Sequence, residues 1–207
     1  MHWYEDEVRA LEQSLASSVK EAHPPVFYGS SSIRLWDTLA EDFDPRVVNA
    51  GFGGSTLEAC DHYFERLVQP LHPRSLLLYA GDNDLGDGRS VQQVLGWFRS
   101  LADKVADLAG PIPFGFVSIK PSPARYAIID RIRRLNDMVR ADIEARPGGY
   151  YIDVGCAELI AERKIGLIQS EDTERFERAG RSDLTRPPFA KRCGDDIIRD
   201  AARDLLP

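Results

Sequence analysis

Short apolar runs alternate along the chain with longer stretches in which apolar positions recur every three or four residues. The runs are Val26-Phe27-Tyr28, Val47-Val48, Leu76-Leu77-Leu78-Tyr79, Phe114-Gly115-Phe116-Val117 and Tyr150-Tyr151-Ile152. Between them Val91, Val94, Leu95, Phe98, Leu101, Val105 and Leu108 mark one stripe of a long helix, and Ile128, Ile132, Leu135, Val139 and Ile143 repeat the pattern. Val8, Leu11, Leu15 and Val19 predict a leader helix over 3–20, and Thr56 to Leu67 reads as the crossover after the second run. Strands alternating with helices in this way predict βαβ units around a five-stranded, mainly parallel sheet. The pattern leaves no room for a second domain, so residues 1–207 are expected to form one.

The tail differs in kind. From Ala161 to Pro207, ten acidic and ten basic residues fall among 47 positions, and only the last stretch, with Ile197, Ile198, Ala201, Leu205 and Leu206, has a helical stripe able to dock on a sheet. The stretch before it reads as charged, irregular surface.

Composition narrows the function. The 207 residues carry a formal charge of -7, which argues against a broad basic surface for nucleic acid. No apolar run approaches the ~20 residues of a membrane span, and the opening Met-His-Trp-Tyr-Glu-Asp has no basic n-region or apolar h-region. The protein is therefore expected to be soluble and cytoplasmic, with neither nucleic acid nor membrane as partner. Cys60, Cys156 and Cys193 are too far apart for a disulfide framework or a CxxC metal site, which fits a reducing compartment. The four histidines stand at positions 2, 23, 62 and 72.

In open parallel sheets, ligands collect beyond the carboxyl ends of the strands. Gly29-Ser30-Ser31-Ser32-Ile33 follows the first run, Asn49-Ala50-Gly51-Phe52-Gly53-Gly54-Ser55-Thr56 the second, and Gly81-Asp82-Asn83-Asp84 the third. Each has an ordinary reading. A serine turn before a helix is an N-cap, a Gly-Gly pair is a tight turn with positive φ or a weak phosphate cradle, and an Asp-Asn-Asp run is turn chemistry or a set of oxygen ligands including Asp87 for a hard cation. Together they offer a hydroxyl nucleophile with backbone and carboxamide donors, which acyl transfer through an oxyanion requires.

Three stretches resemble, in order, the blocks of the SGNH hydrolases, also called GDSL-type esterases and lipases. Val26 to Trp36 is similar to the first block, with Ser30 where the Asp of Gly-Asp-Ser usually stands, which makes Ser31 the implied nucleophile. Val48 to Thr56 resembles the second and assigns an oxyanion N–H to Gly54. Tyr79 to Asp84 resembles Gly-x-Asn-Asp and assigns the side-chain donor to Asn83. The resemblance runs to about Asp153 and includes Phe116-Val117-Ser118-Ile119-Lys120-Pro121. It implies a three-layer α/β/α sandwich of flavodoxin-like type and a small-molecule ester substrate, with no metal or organic cofactor.

The resemblance breaks at the family's fifth block, Asp-x-x-His, whose His takes the serine proton and whose Asp orients the His. The corresponding stretch, Phe176 to Pro187, has no histidine; anchoring on Asp183 puts Arg186 in the His position, and anchoring on Leu184-Thr185 puts Asp183 there. Neither side chain replaces an imidazole, because guanidinium stays protonated and a carboxylate is a weak base. His72 precedes the third strand, on the edge opposite the site; His62 lies on the helix after the second block, and His2 and His23 flank the leader. Three explanations stand side by side: a member that binds an ester or carbohydrate-like ligand with little turnover, a base from a tail carboxylate or a partner subunit, and a tail altered by a shifted reading frame. The two functional readings are a serine ester hydrolase acting on a small acyl group, for which a carbohydrate acetyl ester is one family option, and a non-catalytic ligand-binding member of the same fold. Trp36, Phe52 and Trp97 are apolar candidates for pocket lining, with core packing the ordinary reading of Trp97. The oligomeric state is open.

Overall fold

A computed structural model describes residues 1–19, 22–108 and 110–154. Five strands form one sheet: β1 (Pro25–Gly29), β2 (Val48–Gly51), β3 (Ser75–Tyr79), β4 (Phe114–Val117) and β5 (Gly149–Ile152), in the order β2-β1-β3-β4-β5. Every pairing is parallel, so the mainly parallel sheet that the pattern predicts is parallel throughout. All five residues of β1 and of β3 are buried, as strands covered on both faces must be, which is why they read as unbroken apolar runs. β2 starts one residue later than the Val47-Val48 run and continues through Asn49, Ala50 and Gly51, because Gly51 pairs with Gly29.

The helices are α1 (Glu5–Ser18), α2 (Ser31–Arg34), α3 (Leu39–Asp42), α4 (Leu57–Leu67), α5 (Asp82–Gly86), α6 (Val91–Ala106) and α7 (Ile129–Glu144). A 3-10 turn, His2–Tyr4, precedes α1, so the leader begins as a tighter turn and its helix ends two residues short of the expected limit. Alternate strand residues face opposite layers. Val26, Tyr28, Leu76, Leu78, Phe114 and Phe116 join the buried faces of α1, α4, α6 and α7. Phe27, Leu77, Tyr79 and Val117 point the other way, to Ile33, Trp36 and Leu39 of the α2–α3 segment. Helices thus cover both faces, giving three layers.

The two layers follow from connection handedness. From β1 the chain moves outward to β2 by way of α2 and α3, then crosses back over β1 through α4 to reach β3. Right-handed crossovers in opposite directions put their helices on opposite faces, and the reversal leaves a crevice between β1 and β3 at their carboxyl ends. The expected charged tail, 161–207, with its closing helix, lies outside the described residues.

Candidate active site

The register aligns three strand ends in one row. Gly29 stands opposite Gly51 on one side and Tyr79 on the other; Ser31 follows that row by two residues, Gly54 by three and Asn83 by four. The row is cross-tied: the Ser30 N–H donates to the Tyr79 carbonyl at 2.9 Å and the Phe52 N–H to the Gly29 carbonyl at 3.0 Å. Gly29 has φ +133°, and a Cβ there would run into the Tyr79 carbonyl, so the turn that delivers the serines requires glycine.

Ser31 opens α2. Ser30 is buried, Ser32 exposed and Ser31 between the two. The amides of Ile33 and Arg34 both donate to the Ser30 carbonyl, whereas the Ser30 side chain makes no capping bond, so the ordinary N-cap reading of this serine run does not apply. As the first helical residue, Ser31 has no intrahelical partner for its own N–H.

Gly54 has φ +63°, is exposed, and lies in a turn where a Cβ would meet nothing within 4 Å. Its loop is bonded from several sides. Asn49 in β2 accepts from the Gly51 N–H at 3.0 Å and donates to the Ile33 carbonyl at 2.7 Å, tying the strand before the loop to the helix that carries Ser31. Glu7 of α1 accepts from the Gly53 N–H at 3.0 Å and pairs with Arg34 Nε at 2.9 Å. The Tyr4 hydroxyl donates to the Gly54 carbonyl at 2.9 Å. Asn49, Tyr4 and Glu7 escape motif reasoning; a polar residue in the middle of an otherwise apolar strand was the one signal pointing to Asn49.

Asn83 is the second residue of α5, which is entered through Gly81 at φ +121°. Its amide donates to the Ser55 carbonyl at 3.1 Å and its Oδ1 accepts from Arg125 at 3.2 Å. With the oxygen held by a guanidinium, the amide orientation is determined and one N–H of Nδ2 is left to donate. Ser31, Gly54 and Asn83 are thus brought to one edge by three adjacent strands, and Asn83 is bonded to the residue after Gly54. Chemically, the edge offers one hydroxyl together with backbone and side-chain donors suited to a developing oxyanion.

Asp84, considered above with Asp82 and Asp87 as a cation ligand, has another task. It is fully buried, and its two oxygens accept from the Leu57 N–H at 2.7 Å and the Glu58 N–H at 3.3 Å, capping α4 alongside the Thr56 hydroxyl. Burial pushes its pKa up to about 6 against the pull of those amides. Among the described residues no group of three or more His, Cys, Asp or Glu could hold a metal ion.

Two of the apolar lining candidates belong to the core instead. Phe52 is fully buried among Tyr4, Tyr28 and Tyr63, and Trp36 packs on Phe27 and Phe43 while donating to Asp42. Trp97 also packs against the core. His72 sits at the amino end of β3, in contact with His23, whereas Asn83 follows the carboxyl end of the same strand. His62 is exposed on α4 with its ring against Tyr63. Asp183 and Arg186 lie outside the described residues. A cavity of about 500 Å³ lined by Arg99, Met138, Asp142 and Arg146 lies between α6 and α7, beside the start of β5 and not at the carboxyl strand ends. No helix among the described residues is long and apolar enough to cross a membrane.

Residues 17–176 match the model of the GDSL-like lipase/acylhydrolase family. The chain is 23% identical over 194 residues to the platelet-activating factor acetylhydrolase IB subunit alpha1 of Bos taurus, covering 86% of this chain and 78% of that one. A GDSL-like lipase from Bacteroides thetaiotaomicron superposes with a TM-score of 0.58 at 24% identity, over 74% of this chain and 77% of the other. A variant of an acetyl-xylooligosaccharide esterase from Geobacillus stearothermophilus superposes with a TM-score of 0.60 at 15% identity, over 91% and 96%. At such identities the two structures show a shared fold.

Proposed function

The chain belongs to the GDSL-like lipase/acylhydrolase family, and from that premise we propose that it is a serine ester hydrolase, one domain over residues 1–207, acting on small acyl esters in a reducing cytoplasm. The observation that carries this reading is the single row of strand ends on which Ser31, Gly54 and Asn83 follow, with Asn83 bonded to the loop that presents Gly54. Ser31 Oγ attacks the acyl carbon, and the carbonyl oxygen, now negative, takes hydrogen bonds from Gly54 N–H, an Asn83 amide N–H and the Ser31 N–H, which form the oxyanion hole. The Oγ proton passes to a base and on to the leaving oxygen as the ester C–O bond breaks and the alcohol departs; water then attacks the acyl carbon, releasing the acid and returning a proton to Ser31. These three donors supply the electrostatic stabilisation, and the reaction calls for no metal or organic cofactor.

The proton acceptor is the weak part of the machine. No histidine follows His72, and a site lacking one triad member typically retains only ~10³–10⁴-fold acceleration over water. Turnover is therefore slow, because the Ser31 proton passes to a base weaker than imidazole. The substrate carries a small acyl group, because the turns after β1 and β3 pass directly into α2 and α5 without room for a lid. Two relatives bear names that describe acetyl removal, from platelet-activating factor and from xylooligosaccharide; an acetyl ester of a carbohydrate is the corresponding substrate here.

Ser31→Ala abolishes hydrolysis of p-nitrophenyl acetate; activity surviving that change would rule Ser31 out as nucleophile. The missing histidine favours one second reading, a binding protein that keeps the pocket without the chemistry. It requires that a fluorophosphonate probe leave Ser31 unlabelled, since an unactivated hydroxyl is a poor nucleophile.

A further inference from the structure

The Gly53–Gly54 peptide, whose N–H the proposed reaction needs, has no side chain on either residue to fix it. Gly54 stands at φ +63°, and space around it is open. Two successive glycines leave this peptide free to rotate, so its direction depends on what holds its neighbours. The peptide before it is held through the Gly53 N–H, which donates to Glu7 Oε1 at 3.0 Å. The peptide after it is held through the Gly54 carbonyl, which accepts from the Tyr4 hydroxyl at 2.9 Å. Both partners come from the leader, nearly 50 residues away in sequence.

We propose that the leader is a working part of the ester-hydrolysing site, with Tyr4 and Glu7 as positioning residues that clamp the two peptides flanking the oxyanion N–H of Gly54; the inference rests on the serine ester hydrolase reading. The same Glu7 oxygen that takes the Gly53 N–H also pairs with Arg34 Nε at 2.9 Å. Arg34 closes the short helix that Ser31 opens, so one carboxylate ties oxyanion loop to nucleophile helix. Tyr4 is itself packed in place: its ring is buried edge-on against Phe52 and Tyr63 at 5.5 and 6.4 Å.

Docking of α1 does not depend on these two bonds. Val8 and Leu15 are buried, and Glu5 and Glu12 pair with Arg66 of α4 at 3.0 and 2.5 Å. Three acidic residues open α1, an arrangement that by itself only complements the helix dipole. Glu5 turns to Arg66, while Glu7 turns to the loop.

Losing one such hydrogen bond shifts the population of the competent peptide by about two- to ten-fold, below the ~10²–10³-fold cost of removing an oxyanion donor outright. The experiment compares Tyr4→Phe, Glu7→Ala, Glu7→Gln and Glu12→Ala. It measures kcat and KM on p-nitrophenyl acetate and amide hydrogen exchange at Gly53 by NMR. Tyr4→Phe and Glu7→Ala lower kcat by about two- to ten-fold with KM nearly unchanged, and speed exchange at Gly53. Glu7→Gln, which keeps an acceptor for Gly53, restores most of the loss, and Glu12→Ala, which loosens α1 without touching the loop, leaves kcat as it was. Unchanged exchange, faster exchange with unchanged kcat, or an equal loss in Glu12→Ala overturns the clamp. Equal turnover by wild type and Ser31→Ala overturns the esterase reading itself, and exchange at Gly53 then decides whether Tyr4 and Glu7 hold the loop.

Discussion

Asp84→Asn tests how the third strand end is coupled to the start of α4. The wild-type carboxylate is fully buried and accepts from two backbone amides at once. An asparagine of the same shape keeps one acceptor for the Leu57 N–H but turns an amide NH₂ toward the Glu58 N–H, leaving two donors face to face. An unsatisfied buried donor costs about 1–3 kcal/mol, the expected destabilisation near neutral pH. The pH dependence carries a sign. Burial raises the carboxyl's pKa from 3.8 to about 6 in the folded protein, so the folded state binds the proton more tightly than the unfolded chain. The associated stability is fully present below 3.8 and is lost as pH rises through 6, a total of about 3 kcal/mol at the limit. Between pH 5 and 7.5 the gap in unfolding free energy between wild type and Asp84→Asn therefore narrows, by roughly 1 kcal/mol. Urea denaturation of both proteins at the two pH values measures this directly, because titrations common to both cancel in the difference. A gap that stays constant, or widens toward pH 7.5, refutes burial as the dominant influence on this carboxyl.

Gly29→Ala drives a methyl into the Tyr79 carbonyl at a backbone conformation that only glycine adopts easily; a loss of about 3 kcal/mol or more, read from thermal unfolding, is expected. Asn49→Ala removes the bond that ties β2 to α2 and the one that holds the Gly51 N–H within β2, costing about 1–3 kcal/mol in denaturation and lowering kcat as the Ser31 turn loosens. Asp44 is held down to about 2 by the Arg46 guanidinium. Its contribution to stability is present above 3.8 and fades as pH falls toward 2, so Asp44→Asn lowers Tm at pH 7 and has little effect at pH 2.

Much of the fold is legible in local pattern because buried parallel strands and amphipathic helices leave signatures of period and run length. Val91 to Val105 reads as a helix burying one stripe, and α6 buries that stripe with Ser90 and Gln93 as a capping box at its start. Pattern fails where a residue's task is set by a distant partner. Phe52 and Trp36 stand beside motif residues and look available to a ligand, yet the second layer and the α1–α4 face bury both. Asp84 looks like one of three clustered carboxylates, but the start of α4 takes both of its oxygens.

The sequence by itself determines the alternation of strands and helices, and the three motifs that follow β1, β2 and β3, since short-range spacing dictates both. It also determines that no histidine follows position 72. Only the tertiary structure decides that the three motifs share one register row, that Asn83 and Ser55 bond across two connections, and that Tyr4 and Glu7 hold the loop of Gly54. Those contacts join residues 28 to 50 positions apart, and no local propensity encodes a hydrogen bond whose partner arrives only when the sheet assembles.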